Sequence, residues 1–269
     1  MTIQELMRGI ELPEKAQGIV LDYEMEEDEY LSWKEIFKDD FSLFLEKWKE
    51  KEDSKQWILS FYVKMSSEVY EKYLNANISE DIYYDTFRDI TIWCQECYCK
   101  YGIYGLEEVE WLAKSIRMEL YRIGRLQYEP MVIKNDEESD LFHLSIGKKV
   151  LNVHIPAGEK LDYMACVDSM RTAQKFFGQG YTAMVCDSWL LSPKLKEVLP
   201  ETSNIIRFQE LFQIVREHYK FPQAEERIFK TWKSNKAEYP EETTLQRNAK
   251  SYLLSGGSIG IGVGVIAIP

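Results

Sequence analysis

The stretch that decides the fold lies around Arg125 to Leu191. In order it reads GRLQYEPMVIK (124–134), LFHLSIG (141–147), KVLNVHIP (149–156), the turn PAGEK (156–160), LDYMACVDSMRTAQKFFG (161–178) and YTAMVCDSWLL (181–191). The first three segments read as strands. Leu126, Tyr128 and Pro130 alternate with Arg125, Gln127 and Glu129, the two-residue period of a strand in a sheet. The acidic run Asn135–Asp140 reads as the hairpin connection between the first two. PAGEK then opens onto a helix, and a fourth strand follows that ends in the polar residues Asp187 and Ser188. A strand feeding a short turn at a helix start can place backbone N–H groups around a phosphate.

Upstream the period changes. FSLFLEKWKE (41–50), WILSFYVKMSSEVYEKYL (57–74), YDTFRDITIWCQECYCKYG (84–102) and LEEVEWLAKSIRMELYRIG (106–124) carry apolar residues at three- and four-residue spacing, the mark of packed helices. Gly102 and Gly105 separate two of them. Asn77, Ser79 and Asp81 are cap candidates for another. The aromatic residues here read as helix-to-helix packing. Downstream, SPKLKEVLP (192–200) reads as a short helix with Pro193 near its start. In SNIIRFQELFQIVREHY (203–219) the part Asn204 to Phe208 reads as extended. FPQAEERIFKTW (221–232) and TTLQRNAKSYLLSGG (243–257) read as helices. SIGIGVGVIAIP (258–269) reads as a last strand with glycine at every second position, so that either a close approach or tight packing against a helix uses the bare face.

Charge divides the chain at the same place. Residues 1–124 hold 15 Lys and Arg against 27 Asp and Glu, and residues 125–269 hold 18 of each, within a net charge of -12. The first half is therefore a poor partner for nucleic acid or an anionic membrane. Domains of 1–124 and 125–269 are expected. No run approaches the ~18 apolar residues of a membrane span, and the start MTIQELMRGIELPEK has no signal-type apolar core. The five cysteines then read as reduced and the location as cytoplasmic. WCQECYCK (93–100) lacks a second Cys/His pair at ligand spacing, so Cys94, Cys97 and Cys99 read as helix side chains and no metal is expected.

ELYRIGRLQYE (119–129), VHIPAGEKL (153–161), AQKFFG (173–178), CDSWLL (186–191), LKEVLPETSNIIRF (195–208) and TTLQRNAKSYLLSGG (243–257), with TFRDITIWCQECYCKYGIYGLEEVEWL (86–112) in the first half, resemble the two-part acyltransferase family. That family joins an N-terminal helical acyltransferase-associated domain to a GNAT-like C-terminal domain. The resemblance implies an α+β chain: a helical domain, then a mixed α/β domain whose central sheet splays between its fourth and fifth strands. KVLNVHIP would be the fourth strand and TAMVCDSWLL the fifth. The co-substrate it implies is acyl-CoA, acetyl-CoA first. The pantetheine arm would run along Val153 and Ile155, and the pyrophosphate would meet Ala157, Gly158, Glu159, Lys160 and Leu161. The acceptor would be a small-molecule amine, and a homodimer is left open. The turn departs from the family's Gln/Arg-x-x-Gly-x-Gly/Ala: only Gly158 stands there, beside the carboxylate of Glu159, which Lys160 offsets. The tyrosine that often protonates the leaving thiolate is also missing after the fifth strand.

Acyl transfer to an amine needs a base, a donor to the oxyanion and departure of the thiolate. His154, at the end of its strand, is the first base candidate, because imidazole titrates near neutrality; the alternative is a structural histidine. Glu129, sharing a strand face with Gln127, is the second, with an ion pair to Arg125 or a lysine as the alternative. Asp187 is a candidate to hold the acceptor ammonium and Ser188 to meet developing charge. Cys186 with His154 would make a covalent pair, against which stands the inertness of buried strand thiols. His143 and His218 read as structural or surface groups. A silent acyl-CoA- or metabolite-binding protein of the same fold is the competing reading.

Overall fold

The computed structural model describes residues 1–268. Pro269, the last residue of the strand expected at 258–269, lies outside the described residues. Contacts divide the chain into two units. One is Met1–Ile123 with Pro156–Gly158; the other is Gly124–Ile155 with the residues from Glu159 onward.

The first unit is helical: α1 (Ile3–Gly9), α2 (Glu14–Asp22), α3 (Glu27–Asp39), α4 (Phe41–Lys49), α5 (Ser54–Asn75), α6 (Glu80–Tyr101) and α7 (Val109–Ile116), then the short strand β1 (Tyr121–Ile123). Its aromatic residues pack helix on helix, as their spacing predicts. Tyr30 of α3 meets Phe61 of α5 with ring centres 5.5 Å apart, and Phe37 of α3 meets Phe44 of α4 edge-on at 5.2 Å. Three buried tyrosines give their hydroxyls to carbonyls of a neighbouring helix: Tyr62 to Val109 (2.9 Å), Tyr73 to Ser115 (2.7 Å) and Tyr83 to Ser66 (2.8 Å). A buried tyrosine hydroxyl needs such an acceptor, since an unmade bond there costs about 1–3 kcal/mol. Of the three cap candidates, Ser79 caps α6, accepting from the N–H of Ile82. Gly102 ends α6 in the left-handed conformation, φ 73°. Cys94 and Cys97 are buried on α6 and Cys99 is exposed, all as free thiols. Among the described residues no group of three or more His, Cys, Asp or Glu is arranged to hold a metal, and no helix is long and apolar enough to cross a membrane.

In the second unit β2 (Leu126–Val132), α8 (Asp136–Phe142), β3 (Lys149–His154), α9 (Tyr163–Phe177), β4 (Ala183–Ser188), α10 (Asn204–Gln209), β5 (Gln213–His218), α11 (Gln223–Phe229), α12 (Thr244–Leu254) and β6 (Ile261–Ala267) follow in order. The strands of this unit form a mixed sheet ordered β2-β3-β4-β6-β5. β2–β3, β4–β6 and β6–β5 are antiparallel, and β3–β4 is parallel.

Several local expectations are corrected. The helix expected over 106–124 covers only Val109–Ile116, and Tyr121–Ile123 is the strand β1. LFHLSIG is not a strand, and Asn135–Asp140 is not a plain hairpin loop: together they make α8 and its exit. Asn135 caps α8 by accepting from Glu138 N–H (2.9 Å), and Asp136, Glu137 and Glu138 fill the first turn, where the helix dipole favours negative charge. His143, at φ 53°, stops it. Asn204–Phe208 is helical, not extended, because Ser203 caps it and Ile206, Phe208 and Gln209 bury one side; the extended part is β5, further along the chain. The helix after PAGEK starts at Tyr163 and not at Leu161, because the Asp162 carboxylate caps it at Ala165 N–H (2.9 Å).

The bare face of β6 is used for packing. A Cβ at Gly262 would lie 2.0 Å from the carbonyl oxygen of Leu191, and one at Gly264 2.7 Å from the Leu191 side chain and 2.8 Å from Phe212. The 3-10 turn Trp189–Leu191 that follows β4 lies against those glycines.

Candidate active site

The site is built by the sheet's register. In adjacent strands, residues directly opposite share a face, and neighbours along a strand point to opposite faces. Gln127 opposes His154, and Glu129 opposes Asn152. Asn152 opposes Val185 on β4, Asp187 opposes Val263 on β6, and Val263 opposes Arg216 on β5. Gln127, Glu129, Asn152, His154, Val185, Asp187, Val263, Arg216 and His218 therefore lie on one face. Along that face Val150, Ala183, Val185 and Val263 are buried with Phe142 of α8 and Ile133. At the far end, where β3 and β4 finish, the face becomes polar.

That far end is where the sheet opens. β3 and β4 are in register over Val150–Asn152 and Ala183–Val185 only. Beyond that, Val153 and His154 stay with β2, and Cys186, Asp187 and Ser188 stay with β6. Two parallel strands whose pairing stops before their carboxyl ends leave the sheet open there, with His154 on one side and Asp187 on the other.

Each border carries a carboxylate–histidine pair. His154 Nε2 is 3.1 Å from Glu129 Oε2, and both side chains are part-buried, 26% and 21% exposed. His218 Nε2 is 2.9 Å from Asp187 Oδ1. Glu129 and His154 are thus brought together, and Asp187 stands on their face across the opening. Ser188 is not brought to them. It lies on the opposite face with Gly262 and Glu217, is buried, and its hydroxyl accepts from Leu190 N–H at 3.2 Å, capping the 3-10 turn. Cys186 shares that opposite face, away from His154, and its complete burial pushes its thiol well above the ordinary range, with the neighbouring Asp187 charge adding to the shift.

The turn after β3 has its own support. Arg125, buried just before β2, donates from Nε to the Lys160 carbonyl (3.0 Å) and from Nη2 to the Glu159 carbonyl (2.9 Å). With both carbonyls drawn to the guanidinium, the exposed side of the turn is shaped from behind. Gly158 takes φ 88°, a conformation that costs an L side chain about 1–2 kcal/mol. Ala157, Gly158, Glu159 and Lys160 are exposed, Leu161 and Ile155 are half-buried, and Val153 is buried. Two neighbours of the site escape a reading of the sequence. His218 sits two strands from Asp187, a distance no local motif reports. Buried Gln209 donates to the carbonyls of Leu190 and Ser192 (2.9 Å each) and so fixes the turn after β4.

A mixed sheet that splays between two parallel central strands, joined by a strand–turn–helix unit, defines a GNAT-like fold. The chain belongs to the family described as GNAT-like C-terminal domain, which matches residues 120–266. The N-acyltransferase N-terminal domain matches residues 1–118, so the resemblance read from the motifs holds for the whole chain. Among solved structures, an acyltransferase in complex with decanoyl-CoA and teicoplanin is similar at TM-score 0.80 and 19% identity, covering 99% of this chain and 87% of that one. An acyltransferase in complex with decanoyl-CoA gives TM-score 0.77 and 21% identity over the same shares. A mutant acyltransferase in complex with octanoyl-CoA gives 0.78 and 18%, again over 99% and 87%. No curated protein matches the chain.

Proposed function

We propose that this protein transfers an acyl group from acyl-CoA to a primary amine by direct attack, without an acyl-enzyme. The observation that carries the reading is the His154–Glu129 pair at the opening between β3 and β4. His154 takes the proton of the attacking ammonium, and the Glu129 carboxylate orients the ring and stabilises the imidazolium that forms. The amine nitrogen bonds to the thioester carbon, the C–S bond breaks, and CoA leaves as a thiolate that takes up the second proton the nitrogen gives up on becoming an amide. Asp187, across the opening, holds the acceptor. Ser188 is the sequence's candidate for the developing charge, but its cap to Leu190 on the other face gives that role no support. Acyl-CoA phosphates are assigned to the turn Ala157–Leu161, with Lys160 offsetting Glu159. The solved relatives hold decanoyl- and octanoyl-CoA, which moves a medium-chain acyl group ahead of acetyl.

The competing reading is a silent acyl-CoA binder. One observation favours it: Asp162 places a carboxylate on the start of α9, next to the turn meant for phosphate. The two readings part in a thiol-release assay. Wild-type protein with decanoyl-CoA and a panel of aminosugars, amino alcohols and amino-acid amides should release CoA only when a suitable amine is present. His154→Ala should lower turnover by about 10²–10⁴-fold with acyl-CoA affinity unchanged in calorimetry. Acyl-CoA binding with no amine-dependent release from the wild type would favour the silent binder; full activity in the variant would remove His154 from the chemistry.

A further inference from the structure

Asp187 and His218 form a second carboxylate–histidine pair, for which the proton-transfer role of His154 leaves no use. The two side chains are not equally placed. A third of Asp187 is exposed, but only 11% of His218. The carboxylate is therefore what an incoming molecule meets, and the ring stands behind it. His218 Nδ1 is buried and has no hydrogen-bond partner among the described residues. A protonated imidazole would carry N–H on both nitrogens and leave a buried donor unmade, which costs about 1–3 kcal/mol. The neutral ring with its proton on Nε2 satisfies the pair: Nε2–H donates to Asp187 Oδ1, and the bare nitrogen is the one without a donor to place.

We propose that His218 is a positioning residue for the acceptor amine. It holds one oxygen of an ionised Asp187, so that the other oxygen faces the opening and receives the cationic amine before His154 takes its proton. The inference rests on the acyl-transfer reading above and adds a specificity element to it. The sheet supplies the geometry. Asp187 opposes Val263 and Val263 opposes Arg216, so His218, two residues beyond Arg216, lies on the same face and reaches Asp187 diagonally past one small apolar side chain. A neutral donor suits this task better than a lysine would, because a second full positive charge on Asp187 would compete with the ammonium it is meant to bind.

Two measurements on the full chain test it. Histidine is present three times, so ¹⁵N-labelled imidazole signals are assigned by single variants. His218 should show the Nε2–H neutral tautomer at pH 7.5; a proton on Nδ1, or on both nitrogens, would overturn the proposal. In the thiol-release assay with decanoyl-CoA and the amine panel, His218→Ala should raise KM for the amine about tenfold, the effect of losing a charge-assisted hydrogen bond, with kcat within about threefold and KM for decanoyl-CoA unchanged. His218→Gln, which keeps an N–H at similar reach, should restore most of the loss. A merely structural histidine would move kcat and the melting temperature instead, or resist rescue by Gln, and either result sinks the idea. Failure of decanoyl-CoA to bind the wild type would strike the acyl-transfer reading first. If no amine of the panel reacts, the tautomer decides.

Discussion

Cys186 stands beside Asp187 in sequence, yet the two live in different chemical settings because a strand turns successive side chains to opposite faces. Burial pushes the Cys94 thiol up to about 12 and that of Cys166 up to about 11, and raises those of Cys97 and Cys186. Only thiolate alkylates, and a thiol whose pKa is about 11 is ionised at roughly one part in a thousand at pH 8. Cys99 is exposed to reagent. Iodoacetamide at pH 8 should therefore label Cys99 alone in the folded protein and all five thiols in denaturant. Cys94, Cys166 and Cys186 should stay unlabelled as pH rises to 9, which lies well below the range where they ionise. Rapid labelling of native Cys186, or an acylated Cys186 after incubation with acyl-CoA, would contradict the direct-attack mechanism. The same residue scale shows what could be read in advance. The placement of His154, Glu129 and Asp187 was legible because each sits at the end of, or on, a strand with a clear period. The pairing of His218 was not, since its partner is 31 positions away and contact across two strands leaves no local trace. Ser188 is polar and adjacent to Asp187, but adjacency on a strand means opposite faces, which the composition of CDSWLL does not display.

At the scale of elements, periodicity served where one face is buried and failed where a cap decides. β2, β3, β4 and β6 were legible from alternation or a strand-length apolar run bounded by turn residues. α8 and α10 were not: each is short, and each is set by one side-chain cap, Asn135 and Ser203, acting against β-branched or apolar residues that look extended. The glycines of β6 show an element whose composition records its neighbour. Its bare face accommodates the backbone of Leu191, which arrives because Ser188, Gln209 and the Trp189–Leu191 turn bring the chain back over the sheet. Gly262→Ala would drive a methyl to 2.0 Å from a backbone oxygen, a clash that no side-chain rotation relieves. The expected cost is at least the ~1–3 kcal/mol of an overpacked core, seen as a lower midpoint in denaturant. Gly18→Ala, where a Cβ meets nothing within 4 Å, should be near neutral or mildly stabilising, since α2 loses a glycine from its interior. Equal stability of the two variants would mean that the turn moves away from β6 at no cost.

For the whole molecule the governing number is charge. A net charge of -12 opposes an anionic co-substrate at long range, yet all of that excess lies in residues 1–124, and residues 125–269 are balanced. Two outcomes compete. If the chain's overall field controls association, added salt screens repulsion and acyl-CoA binds more tightly. If local contacts at the turn control it, salt screens attraction and binding weakens. The Debye length is about 10 Å at 0.1 M salt, so charges farther apart than that are largely screened, whereas a phosphate contact with Lys160 and the turn's N–H groups would lie within it. Local attraction should therefore dominate, and the dissociation constant for decanoyl-CoA should rise severalfold between about 0.05 and 0.5 M salt. The same binding should stabilise the fold. Ligand at about 100 times its dissociation constant adds ~2.7 kcal/mol, which for a unit of this size is a shift of roughly 5–10 °C in the melting transition. His154→Ala should keep that shift while losing turnover, because its ring is assigned to proton transfer and not to the phosphates. Lys160→Glu should lose most of the shift. A melting temperature unmoved by millimolar decanoyl-CoA would remove the co-substrate from the assignment. Affinity that rises with salt would leave acyl-CoA in place but detach its phosphates from the turn.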